Sequence, residues 1–127
     1  MASRRRRHTG AAGGEAGMVT AETAVVLPVL LLVLAAAVAA VVVVGSQLRC
    51  VDAAREGARS AARGDDPGTV TGLAARAAPD GARTTVGGDG ETVTVTVAAS
   101  VAPLGPLPFR VTVSASATAV REPGAAP

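Results

Sequence analysis

Glu22 is the first residue of this 127-residue chain whose type and position suggest chemistry. It stands four residues after Met18, at the edge of a long uncharged run, where a buried carboxylate is costly enough to imply a function and a partner. If the chain is cut between Gly17 and Met18, the new α-amine begins a helix and Glu22 lies one turn further along. In staggered neighbouring helices, Glu22 of one chain can then neutralise the α-amine of the next. The alternative is a glutamate whose side chain reaches back to the lipid headgroups.

The sequence offers little for nucleophilic or metal chemistry. Its one histidine, His8, lies in the N-terminal segment that such a cut would remove. Without a histidine, the remaining chain has no Ser–His or Cys–His pair and no His/Cys metal site. Asp65 and Asp66 are interpreted as a helix cap, and no helix follows Gly87–Gly90 to make it a phosphate loop. We therefore expect no enzyme activity, no metal and no cofactor.

Cys50 is the only cysteine of the chain, so an intramolecular disulfide is excluded. We interpret it as a small apolar residue near the membrane surface. An intermolecular disulfide and an S-acyl group are the alternatives.

The uncharged run that follows Glu22 is long enough to cross a membrane. Residues Ala24–Gly45 contain no charge, and as a helix they span roughly 33 Å, against about 30 Å for a bilayer core. A secretory signal has a shorter apolar region, of about 7–15 residues. Ala37–Ala39 would fit a signal cleavage site, but the apolar run continues through Val41–Val44. The sequence therefore predicts a single-pass membrane helix.

The charge pattern neither orients this helix nor indicates a nucleic-acid partner. Four arginines, Arg4–Arg7, precede the run and four more follow it closely, so the positive-inside count is level. Removal of residues 1–17 leaves eight arginines and nine acidic residues. A nearly neutral body with one aromatic residue lacks the basic face and stacking aromatics of a nucleic-acid binder.

After the apolar run the helical pattern continues, and we expect one helix to extend over residues 46–63 and end at Gly64. Its apolar positions recur every three or four residues and form one stripe. The stripe consists of Leu48, Val51, Ala54, Ala58 and Ala61.

A short second helix and three strands are predicted for the rest of the chain. Asp66 and Pro67 are typical of a helix start, and the apolar side of that helix holds Val70, Leu73, Ala74 and Ala77. The period then changes to two, which indicates strands over residues 83–86, 91–97 and 109–119 with a turn at Gly87–Gly90. The third strand is expected to place Phe109, Val111, Val113, Ala115 and Ala117 on one face.

This body of roughly 60 residues is too poor in large apolar side chains to be stable alone. Its valine face must therefore cover something, and the stripe of the long helix is the nearest candidate. The prediction is an α+β fold, in which a long N-terminal membrane helix packs on a short helix and a small antiparallel three-stranded sheet.

The stretch GMVTAETAVVLPVLL, residues 17–31, resembles the processing site and helix start of type IV-type pilins, in particular the TadE-like minor pilins of Flp/Tad pilus systems. In that family a glycine precedes the cut, a glutamate is fifth in the mature chain and a proline follows; here these are Gly17, Glu22 and Pro28. The likeness continues through QLRCVDAAREGARSAARGD, and the tail resembles actinobacterial members. Many members have an aromatic residue where this chain has Thr23.

The resemblance implies a prepilin that a prepilin peptidase cuts after Gly17, with Met18 as the new N-terminus. It also implies a cytoplasmic N-terminus, an extracytoplasmic body and, as partners, the membrane, the major pilin, other minor pilins and the pilus assembly platform. Glu22 and Pro28 would serve assembly, Pro28 through a helix bend, although membrane helices also tolerate proline without a function. The alternative is an uncleaved, membrane-anchored surface binding protein.

These expectations divide the chain into five parts. They are a leader over residues 1–17, a membrane and assembly helix over 18–45, the outer half of that helix over 46–64, a small α+β domain over 65–120 and a flexible tail over 121–127.

Overall fold

The computed structural model describes residues 12–125, so Arg4–Arg7 and His8 of the expected leader lie outside the described residues. The helices and strands are α1 (Ala12–Ala62), α2 (Pro67–Ala77), β1 (Arg83–Gly88), β2 (Thr92–Val101) and β3 (Val111–Val120). This arrangement confirms the predicted α+β class, with a long apolar helix, a short helix and a three-stranded antiparallel sheet. Two compact units divide at Ala36, and α1 contributes to both.

The first unit is the N-terminal part of α1, which carries bulky apolar side chains on all its faces. The helix segment Gly13–Ala62 contains an 18-residue window of mean hydropathy 3.1 with no buried residue. Its leucines and valines are more than half exposed, for example Leu31 at 57% and Leu32 at 71%. Because apolar surface of this extent is unfavourable in water, the length and composition suggest membrane anchoring.

The second unit, Ala37–Pro127, contains the outer part of α1, which is buried by small residues. The buried side of this helix holds Cys50, Ala53, Ala54, Gly57, Ala58, Ser60 and Ala61. Three members of the predicted stripe are confirmed, but Leu48 is 59% exposed and Val51 only half-buried. The covered face is thus rotated toward the smaller residues, because only these let the sheet come close.

Gly57 marks the closest approach between α1 and the sheet. A β-carbon at this position would lie 2.9 Å from Val95 Cγ1 and 3.5 Å from Ala74 Cβ. Real β-carbons essentially never come within 3.0 Å of a non-bonded heavy atom from another part of the fold. The packing therefore requires glycine here. Val93, Val95 and Val97 of β2 form the opposing wall and are fully buried.

Helix α2 begins as the sequence predicts. Asp66 is its N-cap: Oδ2 accepts a hydrogen bond from the Thr69 amide at 3.0 Å, and Oδ1 accepts one from the Thr69 hydroxyl at 2.7 Å. These two bonds lower the pKa of the Asp66 carboxyl. Pro67 occupies the first helical turn, where its missing N–H is not needed. Val70 and Ala74 are buried, which anchors α2 to the core.

The sheet has the order β1-β2-β3, and both pairs are antiparallel. Its inner face is confirmed over Val93, Val95 and Val97, and in β3 over Val113. Between β1 and β2, the Asp89 carboxylate accepts hydrogen bonds from the amides of Glu91 and Thr92 at 2.9 and 2.6 Å. These amides lower the pKa of Asp89.

Strand boundaries differ from the predicted ones in all three strands. β2 begins at Thr92 and ends at Val101, four residues after its predicted end at Val97, because it pairs with β3 over its whole length. The expected turn glycines Gly87 and Gly88 belong to β1 and pair with β2. The turn is therefore shorter. It is closed by the Asp89 carboxylate and by a backbone bond in which the Asp89 amide donates to the Thr92 carbonyl at 3.0 Å. Phe109 lies before β3 and is 54% exposed, so its predicted place on the inner face is wrong. The loop of residues 102–108 between β2 and β3, which contains Pro103, Pro106 and Pro108, holds it outside the strand.

The expected flexible tail is attached to the domain at its first residues. The amide of Arg121 donates to the Glu91 carbonyl at 2.8 Å, and the amide of Glu122 donates to the Ala62 carbonyl at 3.0 Å. The second bond joins the end of β3 to the end of α1. The first two residues after β3 are therefore hydrogen-bonded to the rest of the second unit.

Candidate processing and assembly segment

Gly17, Met18, Glu22 and Pro28, the residues singled out from the sequence, all lie on the first part of α1. Each is exposed, and Met18 is 68% exposed. The structure brings no other element of the first unit onto them within the described residues. The segment is thus a bare helix face, available to a peptidase or to neighbouring helices.

The Gly17–Met18 peptide bond lies inside α1, since the helix begins at Ala12. Glycine destabilises a helix interior by about 1 kcal/mol relative to alanine, and Gly13, Gly14 and Gly17 all fall within its first turns. A β-carbon at Gly17 would meet nothing within 4 Å, so packing does not explain this glycine. These three glycines therefore weaken the helix at this end of α1.

Glu22 lies one helical turn after Met18, so the two side chains share a face. In the uncut chain the Met18 nitrogen is a peptide N–H and carries no charge. Neither ion pair found within residues 12–125 involves Glu22. A cut between Gly17 and Met18 would place a new α-ammonium group one turn from Glu22.

The threonines beside Glu22 bond within the helix. Thr20 Oγ1 donates to the Ala16 carbonyl at 2.8 Å, and Thr23 Oγ1 donates to the Val19 carbonyl at 2.9 Å. Because both hydroxyls are satisfied locally, these residues can enter an apolar environment without an external partner. Glu22 remains the one side chain near this end of the apolar run that needs one.

Pro28 lies within α1, and the helix continues on both sides of it. Proline lacks the amide that would bond the Ala24 carbonyl, so one backbone acceptor is freed in the apolar run. Freed carbonyls of this kind are the usual site of a helix bend.

Just after the apolar run, Arg49 holds the C-terminus of α2. Its Nη2 donates to the Ala78 carbonyl at 2.6 Å and its Nε to the Ala77 carbonyl at 3.4 Å. A cation at this end of a helix also interacts favourably with the helix dipole. Gln47 makes the matching contact to the sheet, where its Nε2 donates to the Ser114 carbonyl at 2.7 Å. Sequence reasoning missed both residues, because no local pattern reveals partners so distant in the chain.

Cys50 is fully buried between α1 and the rest of the domain. Burial raises the pKa of its thiol, an effect that the neighbouring Arg49 partly opposes. A protonated and inaccessible thiol is unsuited to disulfide exchange or acylation. The structure therefore supports the interpretation of Cys50 as a small core residue, although its burial is in the domain.

Asp65 and Asp66 border a cavity of about 250 Å³ at the end of α1, which is also lined by Val70, Val86 and Arg121. Both carboxylates are already engaged. Asp65 Oδ2 accepts from the buried Ser60 hydroxyl at 2.6 Å and from Arg63 at 3.4 Å, while Asp66 caps α2. Within the described residues there is no group of three His, Cys, Asp or Glu side chains that would hold a metal. These aspartates serve the fold.

Comparison with known proteins places the resemblance on the same segment. Residues 17–59 match the family model described as TadE-like protein. The match begins at Gly17 and runs along α1 into the part that packs on the sheet. It confirms the resemblance to TadE-like proteins, a structural family of Tad pilus systems, and suggests a Tad pilus-associated protein. No curated protein and no solved structure matches the chain.

Proposed function

We propose that this chain is a minor pilin of a Tad-type pilus, made as a prepilin, cut after Gly17 and assembled into the filament or its assembly complex. One observation carries the proposal. The matched family segment starts at Gly17 and includes an exposed helix on which Met18 and Glu22 are one turn apart.

The proposed role of the cut is to create a charge at the start of the apolar helix. Cleavage converts the Met18 amide into an α-ammonium group, which enters the assembly beside an apolar surface. Glu22 of an adjacent subunit, shifted by about one turn, neutralises it. In an apolar setting, the loss of one partner of an ion pair leaves the other charge uncompensated. This destabilises the assembly by about 3–5 kcal/mol. Because only a cleaved subunit has this α-ammonium group, the pair favours the assembly of cleaved subunits. It also favours one shift between neighbouring helices along their axes.

Pro28 has the supporting role of shaping the helix against its neighbours. The freed Ala24 carbonyl allows a bend one turn after Glu22, where adjacent subunits must follow a curved filament wall.

We propose that the leader is cytoplasmic and that α2 and the sheet lie outside the cell. The contacts of Gln47 and Arg49 with the rest of the domain begin two residues after the apolar run, which supports placing the domain on the side of the membrane that follows the run. In this arrangement, extraction of α1 from the membrane carries the folded domain along.

The first experiment tests cleavage. The full chain is expressed with and without a prepilin peptidase, and its N-terminus is identified by intact mass. Met18 is expected as the first residue only when the peptidase is present. A Gly17→Leu variant should stay uncut, whereas Gly14→Leu, a control on the same helix, should be processed. Retention of residues 1–17 in the presence of active peptidase would overturn the proposal and favour the uncleaved, membrane-anchored surface binding protein.

The second experiment separates processing from assembly. Glu22→Gln removes the charge but keeps the side-chain size, so cleavage should proceed while incorporation into filaments falls about tenfold or more. Glu15→Gln, in the leader, is the matched control and should assemble normally. Normal filaments from the Glu22 variant would remove the ion pair from the proposal while leaving the cleavage result standing.

A further inference from the structure

Strand β3 has a free edge, since it ends the sheet order β1-β2-β3. The amide of Arg121 points toward β2, as its bond to Glu91 shows, whereas Ser114 and Glu122 bond away from the sheet to α1. Because successive residues of a strand alternate in direction, the outward backbone groups belong to the even-numbered residues. Those within β3 are Thr112, Ser114, Ser116, Thr118 and Val120.

These outward groups are largely unused. Within residues 12–125 the Ser114 carbonyl accepts a bond from Gln47, and just beyond β3 the Glu122 amide donates to the Ala62 carbonyl of α1. No hydrogen bond within these residues reaches the outward backbone groups of Thr112, Ser116 and Thr118. Natural sheets usually protect an edge with charged residues, proline or a bulge. The sequence VTVSASATAV contains no charge and no proline, and its register with β2 is unbroken over all 10 residues. Such an edge is a template for an added strand.

A groove that contains two arginines borders the same edge. Arg55, Ala58 and Arg59 of α1 and Ala117 and Ala119 of β3 line a cavity of about 200 Å³ beside Thr118. The alanines leave room for incoming side chains. Arg59 is paired with Glu56 at 3.7 Å, but both side chains are well exposed, at 68% and 43%. Arg55 forms no ion pair with any described residue.

We propose that the β3 edge binds an extended, acidic segment of another protein as a fourth strand. Its backbone would pair with the even-numbered residues of β3. Every second side chain would then enter the groove, where aspartate or glutamate meets Arg55 and Arg59. The intervening side chains would extend the hydroxyl rows already formed on the outer face by Thr94–Thr118 and Thr96–Ser116, at 2.8 and 2.7 Å.

A second copy of this chain fits the edge less well. Twofold pairing of β3 with itself is necessarily antiparallel. The contacts of Gln47 with Ser114 and of Ala62 with Glu122 show that α1 and β3 run in the same direction. Two copies would thus have antiparallel outer helices, which one membrane does not allow. Their Arg55 and Arg59 side chains would also meet, a repulsive arrangement.

The experiment uses the full chain in detergent micelles and two labelled peptides of the length of β3. In one peptide valine alternates with glutamate, and in the other with lysine. Fluorescence anisotropy should show binding of the glutamate peptide and at least tenfold weaker binding of the lysine peptide. Hydrogen exchange should show protection of the Ser116 and Thr118 amides by the glutamate peptide.

Two variants test the two halves of the proposal. Ser116→Pro removes one outward amide donor and should abolish binding, whereas Ser116→Val keeps the amide and should bind normally. Arg55→Glu should weaken binding of the glutamate peptide about tenfold, whereas Arg83→Glu, on the opposite edge strand, should not. Circular dichroism must show that Ser116→Pro remains folded; if it does not, Arg55→Glu and the exchange data decide.

Three outcomes would overturn the proposal. They are equal binding of both peptides, no exchange protection in β3, and dimers of the free chain that a Ser116→Cys variant cross-links through residue 116. The last result would assign the edge to a second copy.

Discussion

The two ends of helix α1 are both apolar, yet they bury their surface in different ways. Around Leu31 the helix carries large side chains that stay more than half exposed in the first unit. Around Gly57 it carries small side chains that are fully buried against β2. Large side chains offer area to a surrounding apolar medium, whereas small ones let a sheet come close. Side-chain size, more than hydrophobicity, separates the anchoring part of the helix from the packing part.

The packing part buries little apolar area per residue, so the stability of the domain depends on close packing between α1 and the sheet. Burial of one methylene stabilises by about 0.8 kcal/mol, and alanine adds only a methyl group. Three valines of β2 are the largest fully buried side chains of the sheet. Substitutions at exposed positions of the anchoring part are therefore expected to leave the stability of the domain unchanged. Larger side chains at the interface between α1 and the sheet are expected to lower it.

The largest effect is expected from a charge in the anchoring part. Leu31→Arg should reduce membrane insertion by about 3 kcal/mol, because arginine at the centre of a membrane helix is strongly unfavourable. Leu48→Arg is the matched control: Leu48 is equally exposed, at 59% against 57%, but lies beyond the apolar run. Carbonate extraction of membranes should release the first variant and retain the second. Equal extraction of both would break the comparison.

The next effect tests the packing part. Gly57→Val should lower the free energy of unfolding of the domain by about 2–3 kcal/mol, because the new side chain overlaps Val95. Gly72→Val, on the open side of α2, meets nothing within 4 Å of its β-carbon and should change it by less than about 0.5 kcal/mol. Denaturant unfolding of the full chain in micelles measures both. A tolerated Gly57→Val would show that the interface adapts.

Within the second unit, Arg49 joins α1 to the C-terminus of α2. Arg49→Ala should destabilise the domain by about 1–2 kcal/mol, because the carbonyls of Ala77 and Ala78 lose a charged donor. Arg49→Lys should recover part of this, since it restores the charge but not both bonds. Thermal unfolding distinguishes the three proteins. Equal loss in both variants would mean that the guanidinium geometry, not the charge, holds α2.

The smallest expected effect is a loss of folding stability at acid pH. The folded-state pKa values of Asp66 and Asp89 are lowered, so the stability from both carboxylates is complete above their ordinary pKa of about 3.9. It is lost as the pH falls through the folded values. The unfolding temperature should be flat near neutral pH and fall below about pH 4.

Asp89→Asn should make this acid decline shallower, whereas Asp80→Asn, at an exposed position, should leave it unchanged. An unchanged decline in the Asp89 variant would show that the turn carboxylate does not contribute to acid stability. Neither the change in pH nor the aspartate substitutions should alter the membrane insertion of the anchoring part.

Much of the fold is readable from the sequence because local patterns decide it. The run without charge predicts the membrane helix, Asp66 and Pro67 predict the start of α2, and the alternating valines predict β2. The covered face of α1 is less readable, since Leu48 fits the periodicity of the stripe and yet remains exposed. Periodicity indicates which residues share a face, but not which of two neighbouring apolar faces the sheet will choose.

The candidate segment shows the same division. Gly17, Met18 and Glu22 are found from the sequence because their relation is a spacing along one helix, and the family match covers them. Arg49 and Gln47 are not found, because their acceptors lie on α2 and β3, and only the fold brings these carbonyls within reach.

The sequence by itself determined an apolar anchor, an α+β body and a spacing at Gly17 that resembles a processing site. These depend on composition and local periodicity, which survive without knowledge of distant contacts. Only the tertiary structure decided which small residues of α1 face the sheet, that Arg49 and Gln47 bond to α2 and β3, and that β3 presents a free edge beside Arg55. Each of these depends on the presence or absence of contacts between elements that are distant from one another in the sequence.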